Sequence, residues 1–157
     1  MDEFTTLYRQ HAADVFRFAL HLSRDRHEAE DITSETFVRA WTSPEPIRLA
    51  TVRGYLFTIA RNLYLQRLRK RRSHVSLEDD LRDPGQDPLA RVEQTSQVRA
   101  VLDGVQRLPE IDRSALLMRA LNGMAYAEIA RALGITLAAV KVKIHRARIA
   151  LLALKDT

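Results

Sequence analysis

Cysteine is missing from the 157-residue chain, and glycine and proline occur only five times each. Without thiols the chain cannot form a disulfide framework, a zinc ribbon or a thiol nucleophile. No apolar run approaches the roughly 18 residues that cross a bilayer. The first ten residues, MDEFTTLYRQ, also lack the basic and apolar regions of a secretory signal. We therefore expect a protein of the reducing cytoplasm, with no membrane insertion of its own.

Acidic residues are missing from two long segments of the chain. Residues 46–77 contain eight bases and no acid, and residues 129–155 contain six bases and no acid. Between them, residues 78–88 contain five acids and one base. An ordinary solvated surface mixes the two signs of charge. Two unmixed basic blocks therefore favour a polyanionic partner over a purely solubilising role.

Residues 73–88, SHVSLEDDLRDPGQDP, combine turn-forming residues with high negative charge and few apolar side chains. This composition predicts an acidic linker. It divides the chain into residues 1–72 and residues 89–157, each close to the size at which a lone core is marginal. Nine of the ten aromatic residues lie at or before Tyr64, so the two halves differ in character.

Strand signals are absent from the sequence, whereas apolar residues recur at helical spacing throughout. The sequence therefore predicts an all-α fold of two small helical domains joined by a flexible acidic linker. Asp25 and Thr51 are suited to cap the second and third helices, and Asp25 with Glu28 has the spacing of a capping box. The predicted inward residues of the first three helices are Phe4, Leu7, Tyr8, Val15, Phe16, Ala19 and Leu22, then Ala29, Ile32, Phe37, Ala40 and Trp41, then Val52, Leu56, Ile59, Ala60 and Leu63.

The second half is also predicted to be helical. Residues 89–107 form one predicted helix and residues 110–122 another, with Gly123 as the C-terminal cap. Residues 125–148, AYAEIARALGITLAAVKVKIHRAR, then contain a short helix, a turn at Gly134 and a longer helix.

Residues 125–148 fit a helix-turn-helix, although many helical hairpins share the pattern. The predicted buried residues are Ile129, Ala130, Leu133, Ile135, Val140, Ile144, Ala147 and Leu151. Thr136 caps the longer helix, whose predicted outer face carries Lys141, Lys143, His145, Arg146 and Arg148. These cations favour a DNA-binding motif over a simple hairpin.

Three segments together resemble bacterial RNA polymerase sigma factors of the extracytoplasmic-function (ECF) class. AEDITSETFVRAW (29–41) is similar to region 2.2 of that family, and YLFTIARNLYLQRLRKRR (55–72) to its regions 2.3 and 2.4. LPEIDRSALLMRALNGMAYAEIARALGITLAAVKVKIHRAR (108–148) is similar to its region 4. The resemblance implies a transcription initiation factor that binds core RNA polymerase, directs it to promoters and aids their melting. It implies no catalytic residues, cofactor or metal of its own.

The resemblance also assigns partners and site residues. Asp31, Glu35, Phe37 and Arg39 would contact the clamp helices of the polymerase β′ subunit, and the β flap is a further expected contact of the chain. Tyr55, Arg61, Asn62, Gln66 and Arg69 would bind the minus-ten promoter element. Ala138, Ala139, Lys141, Val142, Lys143, His145 and Arg146 would bind the minus-thirty-five element. An anti-sigma factor is a further expected partner.

The sequence departs from the family pattern at several of these positions. Ser34 stands where many relatives have glutamine, and Gln66 replaces a usual aspartate. Tyr55 stands where tryptophan is frequent and can still stack on a base. Ala139 and Val142 replace two hydroxyl residues, so they can contact only a thymine methyl group or a sugar.

Two other functions fit parts of the sequence. A stand-alone helix-turn-helix regulator would explain the second half, but it leaves the acidic second helix and the aromatic, basic third helix without a role. A metal-dependent enzyme would use His27 and Asp31 beside the neighbouring acids, but the sequence offers no second ligand cluster.

Overall fold

The computed structural model describes residues 2–43, 52–73 and 95–155, which belong to two separate units, Met1–Pro88 and Leu89–Thr157. Regular structure in these ranges consists of helices, which confirms the predicted all-α class. The helices are α1 (Glu3–Ser23), α2 (Arg26–Thr42), α3 (Val52–Ser73), α4 (Ser96–Arg107), α5 (Glu110–Asn122), α6 (Tyr126–Leu133) and α7 (Leu137–Lys155). None of these described helices is long and apolar enough to span a bilayer. The predicted cap Thr51 and the predicted linker beyond Ser73 lie outside the described residues.

The first unit is a three-helix arrangement in which α1, α2 and α3 all pack on one another. Its fully buried side chains include Val15, Phe18, Leu22, Ile32, Phe37, Leu56 and Phe57. A tight turn joins α1 to α2, because Arg24 adopts a left-handed backbone with a φ of 55°. The Asp25 carboxylate then accepts a 3.0 Å hydrogen bond from the Glu28 amide, which confirms the predicted cap of α2.

Some predicted core positions of the first unit are wrong. Phe18 rather than Phe16 lies at the centre of the buried face of α1, since Val15, Phe18 and Leu22 recur at helical spacing. Trp41 was predicted to face inward, but it is 62% exposed near the C-terminal end of α2, where its ring packs edge-on against Phe4. Of the other predicted inward residues, Tyr8 is exposed, and Phe4, Leu7 and Ile59 are half-buried. Phe57 and Tyr64 are buried although they were not predicted to be.

In the second unit, α7 packs against α4, α5 and α6. Met118, Met124, Ile129, Val140 and Ile144 form the centre of its core. Two glycines have left-handed backbones and end the helices before them: Gly123, with a φ of 60°, follows α5, and Gly134, with a φ of 67°, follows α6. The Thr136 hydroxyl accepts a 3.1 Å bond from the Ala139 amide at the start of α7. The predicted cap Gly123, the turn at Gly134 and the cap Thr136 are therefore confirmed, whereas Ile135 and Leu151, which were predicted to be buried, are half-buried.

The predicted helix 89–107 is shorter in the structure. The backbone of Thr95 is extended, and its hydroxyl accepts a 3.2 Å bond from the Val98 amide, so α4 begins at Ser96. Residues 89–94 lie outside the described part of the chain. Gly104 allows α4 to approach α7 closely, because a Cβ at this position would collide with the Leu154 side chain.

Candidate functional surfaces

An exposed, partly acidic face runs along α2. Asp31, Ser34, Glu35 and Val38 recur at helical spacing, and none of them is buried. The Glu35 carboxylate pairs with Arg39 one turn further on, at 3.2 Å between Oε1 and Nη2. Asp31 lies 3.8 Å from the Arg67 guanidinium on α3. We call these four side chains the α2 face; it offers both charge and apolar area to another macromolecule.

The α2 face lacks two residues of the predicted polymerase-binding set, Phe37 and Arg39, and adds Ser34 and Val38. Arg39 is exposed beside the face and pairs with Glu35. Phe37 is 2% exposed, and its ring packs edge-on against those of Phe4 and Tyr8, so it lies in the core of the unit. Val38 is 58% exposed and was not singled out in the sequence. Its spacing of seven from Asp31 places it on the same side of α2, and that spacing was the available signal.

The predicted minus-ten residues lie mostly along one stripe of α3. Asn62, Gln66 and Arg69 are exposed, and Tyr55 is half-buried at the start of the stripe. The opposite side of the helix is buried in the core through residues such as Leu56, Ala60 and Leu63. Arg61 lies off the stripe and is half-buried. An aromatic ring followed by amide and guanidinium groups can stack on an unpaired base and bind the adjoining backbone.

A buried carboxylate joins α2 to the basic end of α3. Glu28 is 5% exposed, and its Oε1 accepts a 2.8 Å bond from the Arg71 Nη2. Burial raises the pKa of Glu28 above its ordinary value of 4.5, and the facing Arg71 opposes that shift only in part. The charged form of Glu28 is therefore less favourable in the folded chain than in the unfolded chain.

Replacing Glu28 with glutamine should change the pH dependence of stability. Because the folded pKa is raised, the stability that neutral Glu28 contributes is present below about 4.5 and is lost as the pH rises through the folded pKa. The Glu28→Gln variant stays neutral at every pH. Its free energy of unfolding should therefore increase relative to that of the wild type as the pH rises through the folded pKa of Glu28. Urea unfolding followed by circular dichroism at a series of pH values measures the difference.

Glu30→Gln is the matched control for this prediction. Glu30 is an exposed acid on the same helix and forms a 3.4 Å surface pair with Arg26. Its replacement should leave the pH dependence close to that of the wild type. A Glu28→Gln variant that loses stability relative to the wild type as the pH rises would show that the Arg71 pair outweighs burial.

The predicted minus-thirty-five residues lie along α7, on more than one side. Ala138, Val142 and His145 are exposed on one side of the helix, and Lys141 is exposed next to them. Ala139 is half-buried. The core side of α7 consists of Val140, Ile144 and Ala147.

Lys143 and Arg146 lie on the flank of α7 that faces α5. The Arg146 guanidinium binds the carboxylate of Asp112, with 2.7 Å between Nη2 and Oδ2. The Lys143 Nζ lies 3.7 Å from Oδ1 of the same residue. Asp112 was not singled out in the sequence, and no local pattern could have found it, because 34 residues separate it from Arg146.

Two acids of α2 that follow His27 have cationic neighbours. Asp31 lies near Arg67, and Glu35 pairs with Arg39. Among residues 2–43, 52–73 and 95–155, no group of three or more His, Cys, Asp or Glu side chains is arranged to hold a metal ion.

Two family models match the chain, one in each unit. The model described as Sigma-70 region 2 matches residues 7–74, and the model described as Sigma-70, region 4 matches residues 99–151. The first match contains the α2 face and the α3 stripe, and the second contains the helix-turn-helix.

Curated relatives match over nearly the whole chain. It is 37% identical to the ECF RNA polymerase sigma factor SigE of Mycolicibacterium smegmatis over 153 residues. These residues cover 94% of this chain and 60% of that protein. This chain is 34% identical over 154 residues to SigM of Bacillus subtilis, covering 94% of this chain and 92% of that protein. SigL of Mycobacterium tuberculosis is 34% identical over 145 residues, covering 90% and 82%.

Two solved structures have the same fold. One is the sigma factor RpoE of Bartonella quintana in complex with the anti-sigma factor NepR, with a TM-score of 0.81 at 22% identity over 100% of this chain and 99% of that chain. At that identity the likeness concerns the fold alone. The other is CnrH in complex with the cytosolic domain of CnrY, with a TM-score of 0.69 at 26% identity over 98% and 87% of the two chains.

Proposed function

This chain belongs to the sigma-70 family, in its ECF class, and from that membership we propose how its surfaces start transcription. It is a transcription initiation factor that binds core RNA polymerase and directs it to specific promoters. The observation that supports this function best is that the two units present different surfaces. One unit presents the α2 face and the α3 stripe, and the other presents a cationic helix-turn-helix.

The α2 face is the proposed contact with the β′ clamp helices. Asp31 and the accessible part of the Glu35 side chain supply negative charge, and Val38 supplies an apolar centre between polar groups. Such a mixture is typical of a transient protein interface, in which charges steer association and apolar area holds it. Phe37 contributes indirectly, because its buried ring fixes α2 against α1.

The α3 stripe is the proposed contact with the melted minus-ten element. Tyr55 can stack on a base of the unpaired strand, and Asn62 and Gln66 can hydrogen-bond to base edges. The last turn of α3 contains Lys70, Arg71 and Arg72, which suits phosphates. Opening DNA requires this combination, since it exposes both π-faces and charged backbone.

The α7 helix is the proposed contact with the major groove of the minus-thirty-five element. Its N-terminal residues, such as Ala138, are exposed and small enough for close approach to base edges. Val142 can contact a thymine methyl group, and Lys141 can bind a phosphate or a guanine. The polymerase β flap is the proposed protein contact of this unit.

The chemistry of transcription belongs to the polymerase in this proposal, and the chain contributes binding and positioning without catalytic groups. An anti-sigma factor is a proposed inhibitory partner, since RpoE and CnrH were each solved with a protein partner, NepR and CnrY. The proposed place of action is the cytoplasm, where promoters and polymerase meet.

Promoter binding with and without polymerase tests the proposed function. Each unit offers only a few base contacts, so strong preference requires both elements to be bound by one complex. The complex with core polymerase should prefer promoter over scrambled DNA by about a thousandfold, and the free chain by less than about tenfold. Mobility shifts at fixed salt measure both ratios.

The opposite outcome identifies the rival function. Strong, specific promoter binding by the chain alone, unchanged when polymerase is added, would show a stand-alone helix-turn-helix regulator. Core polymerase alone on the same DNA fragments provides the baseline.

A further inference from the structure

A single buried carboxylate holds two cations of α7. Asp112 lies in the first turn of α5 and is 1% exposed. Its Oδ2 accepts a 2.9 Å bond from Arg146 Nε, and its Oδ1 accepts a 3.0 Å bond from Arg146 Nη2. Lys143, one turn before Arg146, also lies within ion-pair distance of Oδ1. Asp112 therefore fixes the position of both side chains relative to the core.

The geometry of the pair leaves one edge of the guanidinium available. Arginine has five N–H donors in a planar fork, and Asp112 binds the edge formed by Nε and Nη2. Nη1 and the outer hydrogen of Nη2 form a second edge, which points away from the carboxylate. Since the Arg146 side chain is 58% exposed, this second edge can meet another molecule.

A held arginine binds differently from a free one. A long side chain loses rotamer entropy when it is fixed on a ligand, and here Asp112 has already fixed Arg146. The carboxylate also offsets much of the local positive charge of Lys143 and Arg146, which weakens their attraction to any phosphate. The contact favours a planar two-point acceptor over a diffuse polyanion.

We propose that Asp112 is a positioning residue for sequence readout at the minus-thirty-five element. It aims the free edge of Arg146 at two acceptors on one base edge, as the O6 and N7 atoms of guanine provide. At the same time it restrains Lys143 and Arg146 from binding backbone phosphates of arbitrary DNA. The inference rests on the proposed function of α7 and assigns it a residue from another helix.

Asp112→Asn tests the inference in the complex with core polymerase. Asparagine has nearly the same shape, but it is neutral and cannot accept from both arginine nitrogens with two carboxylate oxygens. Preference at one base pair of the minus-thirty-five element should fall roughly fivefold to a hundredfold. Affinity for scrambled DNA should rise, and the slope of log affinity against log salt should steepen by about 0.9 for each phosphate newly bound.

These readouts separate positioning from a loss of folding. A partly unfolded variant lowers affinity for every DNA alike. The preference is the ratio of two affinities measured with one preparation, so partial unfolding leaves it unchanged. Glu110→Gln is the matched control, because it removes an acid from the same turn of α5 and Glu110 Oε1 accepts a 2.7 Å bond from Ser114 on that helix. The control should keep the wild-type preference and salt slope.

A double-mutant cycle with Arg146→Ala tests whether Asp112 acts through Arg146. Asp112→Asn should change the preference in the wild-type background and have no further effect when Arg146 is already alanine. Equal effects in the two backgrounds, or an unchanged preference in Asp112→Asn alone, would overturn the inference.

Lys141→Ala distinguishes this failure from failure of the proposed function. Lys141 is exposed on α7, away from the Asp112 pair. If Lys141→Ala weakens promoter binding while Asp112→Asn changes no preference, only the role of Asp112 is wrong. If neither variant alters binding of the polymerase complex to any minus-thirty-five sequence, the proposed role of α7 fails as well, and the inference fails with it.

Discussion

Asp31→Lys combined with Glu35→Lys is expected to lower the affinity for core polymerase by at least a hundredfold. Close charge pairs across an interface couple by about 1.5–7 kcal/mol, so reversing two of them replaces attraction by repulsion. The fold should survive, because both side chains are exposed and their partners Arg67 and Arg39 form surface pairs. Such pairs contribute only about 0–1 kcal/mol each.

Glu30→Lys is the matched control for the polymerase contact. Combined with Asp14→Lys, it makes the same charge change as the double variant within the same unit. Glu30 pairs with Arg26 on α2, and Asp14 pairs with Arg17 on α1. Competition for labelled core polymerase measures affinity, and circular dichroism measures helical content. A double variant that loses helical content would show that Asp31 and Glu35 support the fold, which would contradict their assignment to the interface.

Tyr55→Ala is expected to reduce open promoter complexes by about fivefold to a hundredfold, since a base stacked on an aromatic ring contributes about 1–3 kcal/mol. Tyr55→Phe keeps the ring and should retain most of the open complex. The half-buried position of Tyr55 at the start of the α3 stripe leaves part of its ring accessible. Permanganate reactivity of unpaired thymines measures opening directly.

Closed complexes provide the internal reference for Tyr55. At low temperature, before the DNA melts, Tyr55→Ala and the wild type should bind promoter equally well, because no unstacked base is yet present. Equal loss of closed and open complexes would contradict a role in capturing a base. It would place Tyr55 in general DNA affinity instead.

Helical spacing predicted the fold well because each element is strongly periodic and clearly ended. Asp25, Gly123, Gly134 and Thr136 mark helix ends by backbone and capping chemistry that is local in the sequence. The packing of neighbouring helices decided which of the remaining apolar residues are buried. Periodicity gives the direction of a buried stripe but not its width, so Phe16 was predicted to be in the core and the deeper Phe18 was not.

The candidate surfaces were predictable only in part, for a related reason. Asp31, Asn62 and Arg69 are predicted polar residues that the structure leaves exposed, and Glu35 is half-buried. Val38 was overlooked because an apolar side chain within a helix is ordinarily assigned to the core.

Trp41 shows the same difficulty in reverse. Helical spacing predicted it on the inward face of α2, but it is exposed near the end of that helix. Asp112 acts across the tertiary structure, and only the packing of α5 on α7 brings it to Arg146.

The apolar centre of the exposed side of α7 has a consequence for how promoters evolve. Ala138 and Val142 are exposed there and present only methyl groups, which neither donate nor accept hydrogen bonds. Methyl contacts discriminate weakly between bases. The base pairs that lie beneath this centre can therefore vary among the promoters that one such factor controls. We expect the base pairs that Arg146 and Lys141 contact to be under stronger selection. Alignment of the target promoters should show variable central positions in the minus-thirty-five element beside a fixed guanine.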